Sequence, residues 1–144
     1  MHTVEYDKNQ IGEIKALWQD LNRLHGQRSV NFRHHFSTFT FEERSEQLLS
    51  KEELKLFVAY EKGQKIGYCA ATLENGVGEI DSIYIKPNFQ SAGVGRELME
   101  RALDWLEHFH CKSIRVAIAE GNESVMPFYE RYGFKTRFVV LQRD

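Results

Sequence analysis

The stretch Ile83-Tyr-Ile-Lys-Pro-Asn-Phe-Gln-Ser-Ala-Gly-Val-Gly-Arg-Glu-Leu-Met99 joins a strand to a helix through a glycine-containing turn. A β-branched and aromatic run over residues 80–85 stops at Pro87, and apolar residues recur at helical spacing after Gly95. The unpaired N–H groups and the positive dipole end of a helix N-terminus suit an anionic phosphate. Gly93 and Gly95 would let the backbone approach such a group closely. Taken alone, the turn is equally consistent with an ordinary helix start.

Two familiar phosphate-binding motifs are absent from this turn. A dinucleotide fingerprint needs GxGxxG, but its last glycine position is Leu98, and the helix follows an antiparallel meander rather than an opening βαβ unit. A P-loop needs Gly-Lys followed by Ser or Thr, and the chain contains no such triplet. We therefore expect neither NAD nor ATP.

Outward from this stretch, the sequence alternates between helical and strand patterns. Thr40 and Glu43 have capping-box spacing and predict a helix start, while residues 27–39 are expected to be irregular. Turn signals at Gly63 and Asn75-Gly76 separate three strands of a meander. The predicted elements are a strand at residues 3–6, helices at about 9–25 and from 40, strands at 56–60, 66–73 and 80–85, a helix from 95, a strand at 114–118, a short helix at 125–132 and a last strand at 134–141. This order predicts an α/β mixture, a meander followed by one crossover unit.

The composition is that of one ordinary globular domain. The 144 residues are 42% hydrophobic and 28% charged, which argues against long disorder. A net charge of -2 gives no electrostatic footprint for nucleic acid or an anionic membrane. No apolar run approaches the roughly 20 residues that span a bilayer, and the N-terminus lacks a signal-like apolar region, so we expect a cytoplasmic protein. Cys69 and Cys111 belong to no CxxC or Cys/His set and are expected to be free thiols.

Two blocks of the sequence resemble the signatures of the GNAT superfamily of N-acetyltransferases. Residues Gln90 to Gly95 follow its coenzyme A pattern, which is Gln or Arg, two residues, Gly, one residue, and Gly or Ala. The block Asn122-Glu-Ser-Val-Met-Pro-Phe-Tyr-Glu-Arg-Tyr-Gly-Phe134 resembles the other signature, in which Asn precedes a helix that carries Phe-Tyr and closes with Gly-Phe. The resemblance covers nearly the whole chain and is weakest over residues 1–50. It implies one GNAT-like domain over residues 1–144, with an α/β (α+β) fold whose mixed, mostly antiparallel central sheet is flanked by helices in the order β-α-α-β-β-β-α-β-α-β.

The resemblance implies acetyl-CoA as co-substrate and no metal. In such proteins the strand ending at Ile85 splays from its neighbour, here residues 114–118, and the backbone there binds the pantetheine arm. Asn122 matches a position that hydrogen-bonds the same arm, although an asparagine at a helix start also often caps backbone. Ser91 and Ala92 depart from the family, which often has a basic residue or glycine there, so one cationic contact with the cofactor is lost. The cofactor-binding residues implied are Ile83, Tyr84, Ile85, Gln90, Ser91, Ala92, Gly93, Val94, Gly95, Arg96, Asn122 and Tyr129.

Acetyl transfer to an amine needs a base for the amine and an acid for the departing thiolate. Tyr129 matches the family's tyrosine, and a phenol with a pKa of about 10 stays protonated at neutral pH and can donate to sulfur. It also fits a core aromatic at helical spacing. Glu79 is the leading candidate for the base because its position resembles that of the family's glutamate. Asp81 lies two residues further on the same strand face and can serve instead, and both carboxylates also fit solvated strand-end charges.

The resemblance places the acceptor pocket on the first two helices and their connection. The aromatic and histidine residues of that stretch suggest a shaped cleft, and the adjacent His34 and His35 are not expected to share a metal. The cleft residues are His25, Arg28, Phe32, His34, His35, Phe36 and Phe39. We expect an enzyme that acetylates a small-molecule or peptide amine by direct attack in a ternary complex, and the resemblance implies a homodimer. The alternative is a non-catalytic acyl-CoA-binding or sensor module of the same fold.

Overall fold

Five strands and five helices make up the computed structural model, which describes residues 1–144. The strands are β1 (His2–Tyr6), β2 (Glu53–Glu61), β3 (Gln64–Glu74), β4 (Val77–Ile85) and β5 (Ser113–Val116). The helices are α1 (Lys15–Arg28), α2 (Arg33–Thr38), α3 (Phe41–Leu49), α4 (Val94–Glu107) and α5 (Met126–Glu130), with 3-10 turns at Lys8–Ile14, Pro87–Phe89 and Glu123–Val125. The strands form one sheet in the order β1-β2-β3-β4-β5. Neighbouring strands are antiparallel except β4 and β5, which are parallel.

Helices cover both faces of the sheet because the central strands are apolar on both sides. On one face α4 and α5 pack against β2, β3 and β4, and on the other face α1 and α3 pack against β2 and β3. The first core contains Phe57, Cys69, Ala71, Ile80, Val94, Leu98, Met99, Ala102, Leu106 and Tyr129. The second contains Ile14, Leu17, Trp18, Leu21, Phe41, Leu48, Leu56, Val58, Tyr68 and Ala70. A strand buried on both faces explains why β3 has an almost continuous apolar run rather than an alternating one.

The two predicted turns of the meander are confirmed. Lys62 and Gly63 both have positive φ, 49° and 77°, and Asn75 and Gly76 have 51° and 76°. Left-handed conformation at both central residues is typical of a two-residue type I′ hairpin, whose twist matches that of the flanking strands. The turns therefore fix the register of β2, β3 and β4.

Two irregularities of β4 prepare the site. Ala70 pairs with Ser82 and Ala71 pairs with Ile80, so Asp81 is an extra residue that forms a β-bulge. The parallel pairing with β5 covers Val77 to Ile80 only. Beyond Ile80, β4 has no strand partner on its β5 side, and this unpaired side is called the cleft below.

The structure confirms the predicted fold class but differs in two elements. Residues 27–39 are not wholly irregular, because α2 lies within them. The Asn22 side chain, which donates to the Phe36 carbonyl at 2.8 Å, supports α2 through a tertiary contact that periodicity does not record. The last strand, predicted at residues 134–141, does not form, because β-propensity alone makes no strand without a partner that pairs with it. None of the helices has the length and apolar character needed to cross a membrane.

Candidate active site

A row of free N–H groups precedes and begins α4. Gly93 stands just before the helix with φ 80°, and a Cβ built there would have no atom within 4 Å. The N–H groups of Ser91, Gly93, Val94, Gly95 and Arg96 donate to no acceptor in the chain. Open space beside Gly93 and several N–H groups without an acceptor are what a phosphate-binding turn requires.

This cradle is fixed tightly to the end of β4 and to α5. A Cβ at Gly95 would lie 3.3 Å from Ile85 Cδ1 and 3.4 Å from Phe128 Cε1, closer than most side-chain contacts. Glycine therefore allows close packing at position 95, while Gly93 is needed for its left-handed conformation. The Gln90 side-chain amide donates to the Ile85 carbonyl at 3.1 Å and ties the turn to the strand.

Tyr129 lies in the first core, between α5 and the sheet. Its side chain is 7% exposed and packs edge-on against Phe128 and Phe134. Burial, followed by the nearby Cys69 thiol, raises the pKa of the phenol above its ordinary value, so it stays protonated at all physiological pH values. No group in the chain hydrogen-bonds its hydroxyl. The site thus holds a neutral O–H donor that is free to serve a ligand.

The two carboxylates of β4 have different surroundings. Glu79 accepts a hydrogen bond from Arg115 Nε at 3.0 Å and forms an ion pair with that exposed guanidinium. Asp81, in the bulge, accepts from Thr72 Oγ1 at 2.6 Å. Burial raises the pKa of Asp81 to about 6, with a further increase from the charge of Glu79, while the Thr72 hydrogen bond and Arg44 act in the opposite direction.

The sequence predicted that these two carboxylates lie on one face of the sheet. Their relation to Thr72, on the neighbouring strand, agrees with that prediction. Thr72 pairs with Glu79 in the β3–β4 register and hydrogen-bonds Asp81. The sequence did not indicate Thr72 itself, nor Arg44, whose guanidinium donates to the Asp81 carbonyl at 3.1 Å from α3. A bulge has no signature in a run of strand-forming residues, so no pattern identified these contacts.

Asn122 follows β5, and the predicted acceptor residues lie on and around α1 and α2. The Asn122 side chain makes no cap hydrogen bond, and its Oδ1 accepts from Arg28 Nη1 at 2.7 Å, which leaves its amide N–H groups free. His25 contacts Phe36 with ring centroids 5.4 Å apart, and His35 stacks on Phe39 at 5.1 Å. Burial lowers the pKa of His25, and its Nδ1 is buried without a partner. His34 is exposed and joins none of these ring contacts.

The GNAT acetyltransferase family model matches residues 15–134. The chain belongs to the GNAT family. Family membership confirms the resemblance seen in the two signature blocks and the class of the enzyme, an acetyl-CoA-dependent acyltransferase. It also agrees with the single mixed sheet and its flanking helices.

Individual GNAT proteins are similar over much of the chain. An uncharacterized N-acetyltransferase of Methanocaldococcus jannaschii is 25% identical over 100 residues, which are 65% of this chain and 44% of that protein. The peptidyl-lysine N-acetyltransferase YjaB of Escherichia coli is 30% identical over 126 residues, 85% of this chain and 74% of the relative. This chain therefore spans less than half the length of the first relative and about three quarters of the second.

Solved structures share the fold. A candidate acetyl transferase from Pyrococcus furiosus superposes with a TM-score of 0.73 at 22% identity, and the match covers 99% of both chains. The aminoglycoside N-acetyltransferase AAC(6')-Iy, solved in complex with CoA, superposes with a TM-score of 0.68 at 18% identity over 99% of this chain and 98% of that one. At these identities the likeness shows the architecture alone.

Proposed function

We propose that this protein transfers an acetyl group from acetyl-CoA to a primary amine by direct attack in a ternary complex. The observation that carries the proposal is the row of five free N–H groups at the start of α4, beside the cleft between β4 and β5. A pyrophosphate at the cradle would direct an extended pantetheine arm into that cleft. The bound co-substrate supplies the thioester carbonyl carbon that the amine attacks.

The chain offers backbone and amide groups for each part of this co-substrate. The free N–H groups of Ser91, Gly93, Val94, Gly95 and Arg96 form the proposed pyrophosphate cradle. Gln90 and Ala92 shape the same turn, and their own N–H groups donate to the carbonyls of Pro87 and Phe89. The backbone of Ile83, Tyr84 and Ile85 lacks a strand partner on the cleft side and can pair with the amides of the pantetheine arm. The free amide N–H groups of Asn122, in the segment that follows β5, can also donate to the pantetheine arm.

Asp81 is the carboxylate best prepared to take the proton that an alkylammonium must lose. A group with a pKa of about 6 is ionised at pH 7 yet basic enough to accept a proton, directly or through a water. Glu79 is the second candidate. Its ion pair with Arg115 supports a role in tuning Asp81 by charge rather than in transfer itself.

Tyr129 is the proposed general acid. As the amine nitrogen bonds to the carbonyl carbon and the C–S bond breaks, the phenol O–H donates its proton to the departing sulfur. The nitrogen releases its surplus proton to solvent as the amide forms, and the tyrosinate recovers a proton from solvent. The absence of any internal partner for this hydroxyl supports the assignment, since a purely structural buried tyrosine usually has one.

The acceptor is proposed to be a primary amine of a small molecule or a peptide. Among its relatives are a protein named for peptidyl-lysine and a fold neighbour named for aminoglycosides, and the aromatic and histidine side chains of α1 and α2 provide a shaped wall. The test is release of free thiol from acetyl-CoA with polyamines, aminoglycosides, amino acids and lysine-containing peptides. Thiol release with one class fixes the reaction and the acceptor. Tight CoA binding with no release across the whole panel would instead favour the non-catalytic acyl-CoA-binding module.

We also propose that residues 1–144 act as one cytoplasmic unit that forms a homodimer. The outer edge of β5 has no strand partner, and residues 138–141 present four large apolar side chains to solvent. An unpaired edge and an exposed, strand-forming apolar segment are each a surface that a second copy can cover.

A further inference from the structure

A carboxylate outside the proposed catalytic set joins the segment after β5 to the loop between α1 and α2. Glu120 follows β5, and its side chain accepts four hydrogen bonds from the loop between α1 and α2. Its Oε1 accepts from Ser29 Oγ at 2.6 Å and from the N–H groups of Val30 and Asn31 at 3.0 Å each. Its Oε2 accepts from the side-chain amide of Asn31. Ser29 is fully buried, and its Oγ also accepts from Phe32 N at 2.9 Å.

Two neighbouring contacts hold the same loop. Gly121 has φ 90°, and a Cβ there would lie 2.3 Å from the carbonyl oxygen of Arg28, so the loop backbone rests directly on this glycine. Arg28 in turn donates to the Asn122 side chain at 2.7 Å. Residues 28–31 and 120–122 are therefore joined by backbone packing, a hydrogen bond from a guanidinium to an amide oxygen, and a fully engaged carboxylate.

The two joined segments serve different substrates in the proposed function, on which this inference rests. Residues 120–122 lead to the amide that is assigned to the pantetheine arm, and residues 28–33 enter α2 and the acceptor side. We propose that Glu120 is a positioning residue that holds the acceptor-binding loop at a fixed place relative to the bound thioester. It acts through the loop and touches no reacting atom.

The chemistry of Glu120 suits this role. The hydrogen bond from Ser29, followed by those from Asn31, lowers the pKa of Glu120, so it stays ionised through the range in which the enzyme would work. An ionised carboxylate accepts at both oxygens, whereas glutamine presents an N–H₂ group to one of the converging donors. Glu120→Gln thus preserves size and removes the match.

The experiment is steady-state kinetics of the full chain with spermidine, kanamycin and a lysine-containing peptide, using whichever gives the fastest thiol release. We expect Glu120→Gln to raise KM for that amine about tenfold, the worth of a charged hydrogen bond. The KM for acetyl-CoA and the dissociation constant for CoA should stay within about twofold of wild type. Amide hydrogen exchange at Val30 and Asn31 should speed up about tenfold.

Glu123→Gln is the matched control, because it removes the same charge from the same segment. Glu123 Oε1 accepts only from Gly121 N, a contact inside its own loop. Both KM values and exchange at residues 30 and 31 should remain within about twofold of wild type in this variant.

Two results overturn the inference. The first is an unchanged amine KM in Glu120→Gln although exchange at residues 30 and 31 accelerates, which would mean that catalysis does not use the fixed loop. The second is an equal rise of both KM values with a lowered Tm, which would mark a general scaffold contact. If wild type binds CoA but acetylates no amine, the proposed function fails separately. Exchange then decides: CoA should protect residues 30 and 31 in wild type but not in Glu120→Gln, and equal protection in both overturns the inference.

Discussion

The Tyr129 hydroxyl is a polar group that the fold itself does not use, since nothing in the chain hydrogen-bonds it. Tyr129→Phe therefore removes only the proposed proton donor. We expect kcat to fall about 100-fold, the usual contribution of a positioned general acid. The dissociation constant for CoA and the Tm should stay close to wild type. An initial-rate assay of thiol release measures kcat, calorimetric titration measures the CoA dissociation constant, and thermal unfolding measures Tm.

Tyr132→Phe controls for the loss of a phenol near α5. Tyr132 also packs on Phe128, with ring centroids 5.4 Å apart, but it is only partly buried and is not proposed to act on the substrate. Its kcat should stay within about twofold of wild type. Equal rate losses in both variants, or a loss of CoA binding in Tyr129→Phe, would show that Tyr129 acts through packing.

Asp81 is expected to lower the stability of the fold when it ionises. Its folded pKa of about 6 exceeds the ordinary 3.8, so the folded state holds the proton more tightly than the unfolded chain does. Stability is therefore lost as pH rises from 3.8 to 6, and the loss persists above 6. Asp81→Asn keeps an oxygen that accepts from the Thr72 hydroxyl but cannot ionise. Its free energy of unfolding at pH 7.5 should therefore exceed that of wild type by about 2 kcal/mol. In urea titrations this gain should shrink at pH 5 and disappear below pH 4, whereas a gain independent of pH would contradict the buried-charge explanation.

The pH dependence of kcat/KM can show whether Asp81 or Glu79 is the general base. If Asp81 is the base, wild type should lose activity as pH falls through about 6, and Asp81→Asn should lose both most of the activity and this pH limb. Glu79→Gln should keep the limb but move it to lower pH, because the charge of Glu79 raises the Asp81 pKa. A limb that survives in Asp81→Asn and vanishes in Glu79→Gln would assign the base to Glu79.

At the scale of elements, the sequence predicted what periodicity and turn chemistry encode. The amphipathic α4, the capping box before α3 and the two hairpins all appear where residues alone place them. α2 was missed because it buries none of its six residues and depends on Asn22 of α1. The bulge at Asp81 and the carboxylate of Glu120 were missed because both depend on contacts with segments distant in sequence. The strand at residues 134–141 was overpredicted because its apolar residues meet no pairing edge.

The cradle before α4 has Ser91 where the family often has a basic residue or glycine, and the effect of this difference on CoA binding can be tested. Ser91 is exposed, and a cationic side chain there would lie beside the proposed pyrophosphate. Ser91→Arg should tighten CoA binding about threefold at low salt, as a surface ion pair does, and the gain should fade toward 0.5 M salt. Ser91→Gln, long but neutral, is the control and should leave affinity unchanged. An equal gain in both variants, or one insensitive to salt, would show that charge is not the cause.

At the scale of the whole molecule, the two cores draw on residues up to Phe134, while the final residues stand apart. Phe138, Val139, Val140 and Leu141 are 67%, 78%, 74% and 92% exposed, and no other stretch of the chain exposes four consecutive large apolar side chains. β5, only four residues long, has an unpaired outer edge on the same sheet. An apolar strand-forming segment and a free edge are each a liability in a monomer, and pairing between two copies would remove both.

The homodimer is therefore expected to depend on this segment. The double substitution Phe138→Ser and Val140→Ser should raise the dimer dissociation constant about tenfold or more, because two large apolar side chains no longer leave water on association. Light scattering after size exclusion over a range of protein concentrations measures the shift. Leu49→Ser removes an apolar side chain that is 43% exposed at the end of α3, which belongs neither to β5 nor to residues 138–141, and should leave the dimer intact. Because the segment contributes no core contact, the Tm of the dissociated monomer should match that of wild type, and a monomeric mass for wild type at all concentrations would refute the dimer outright.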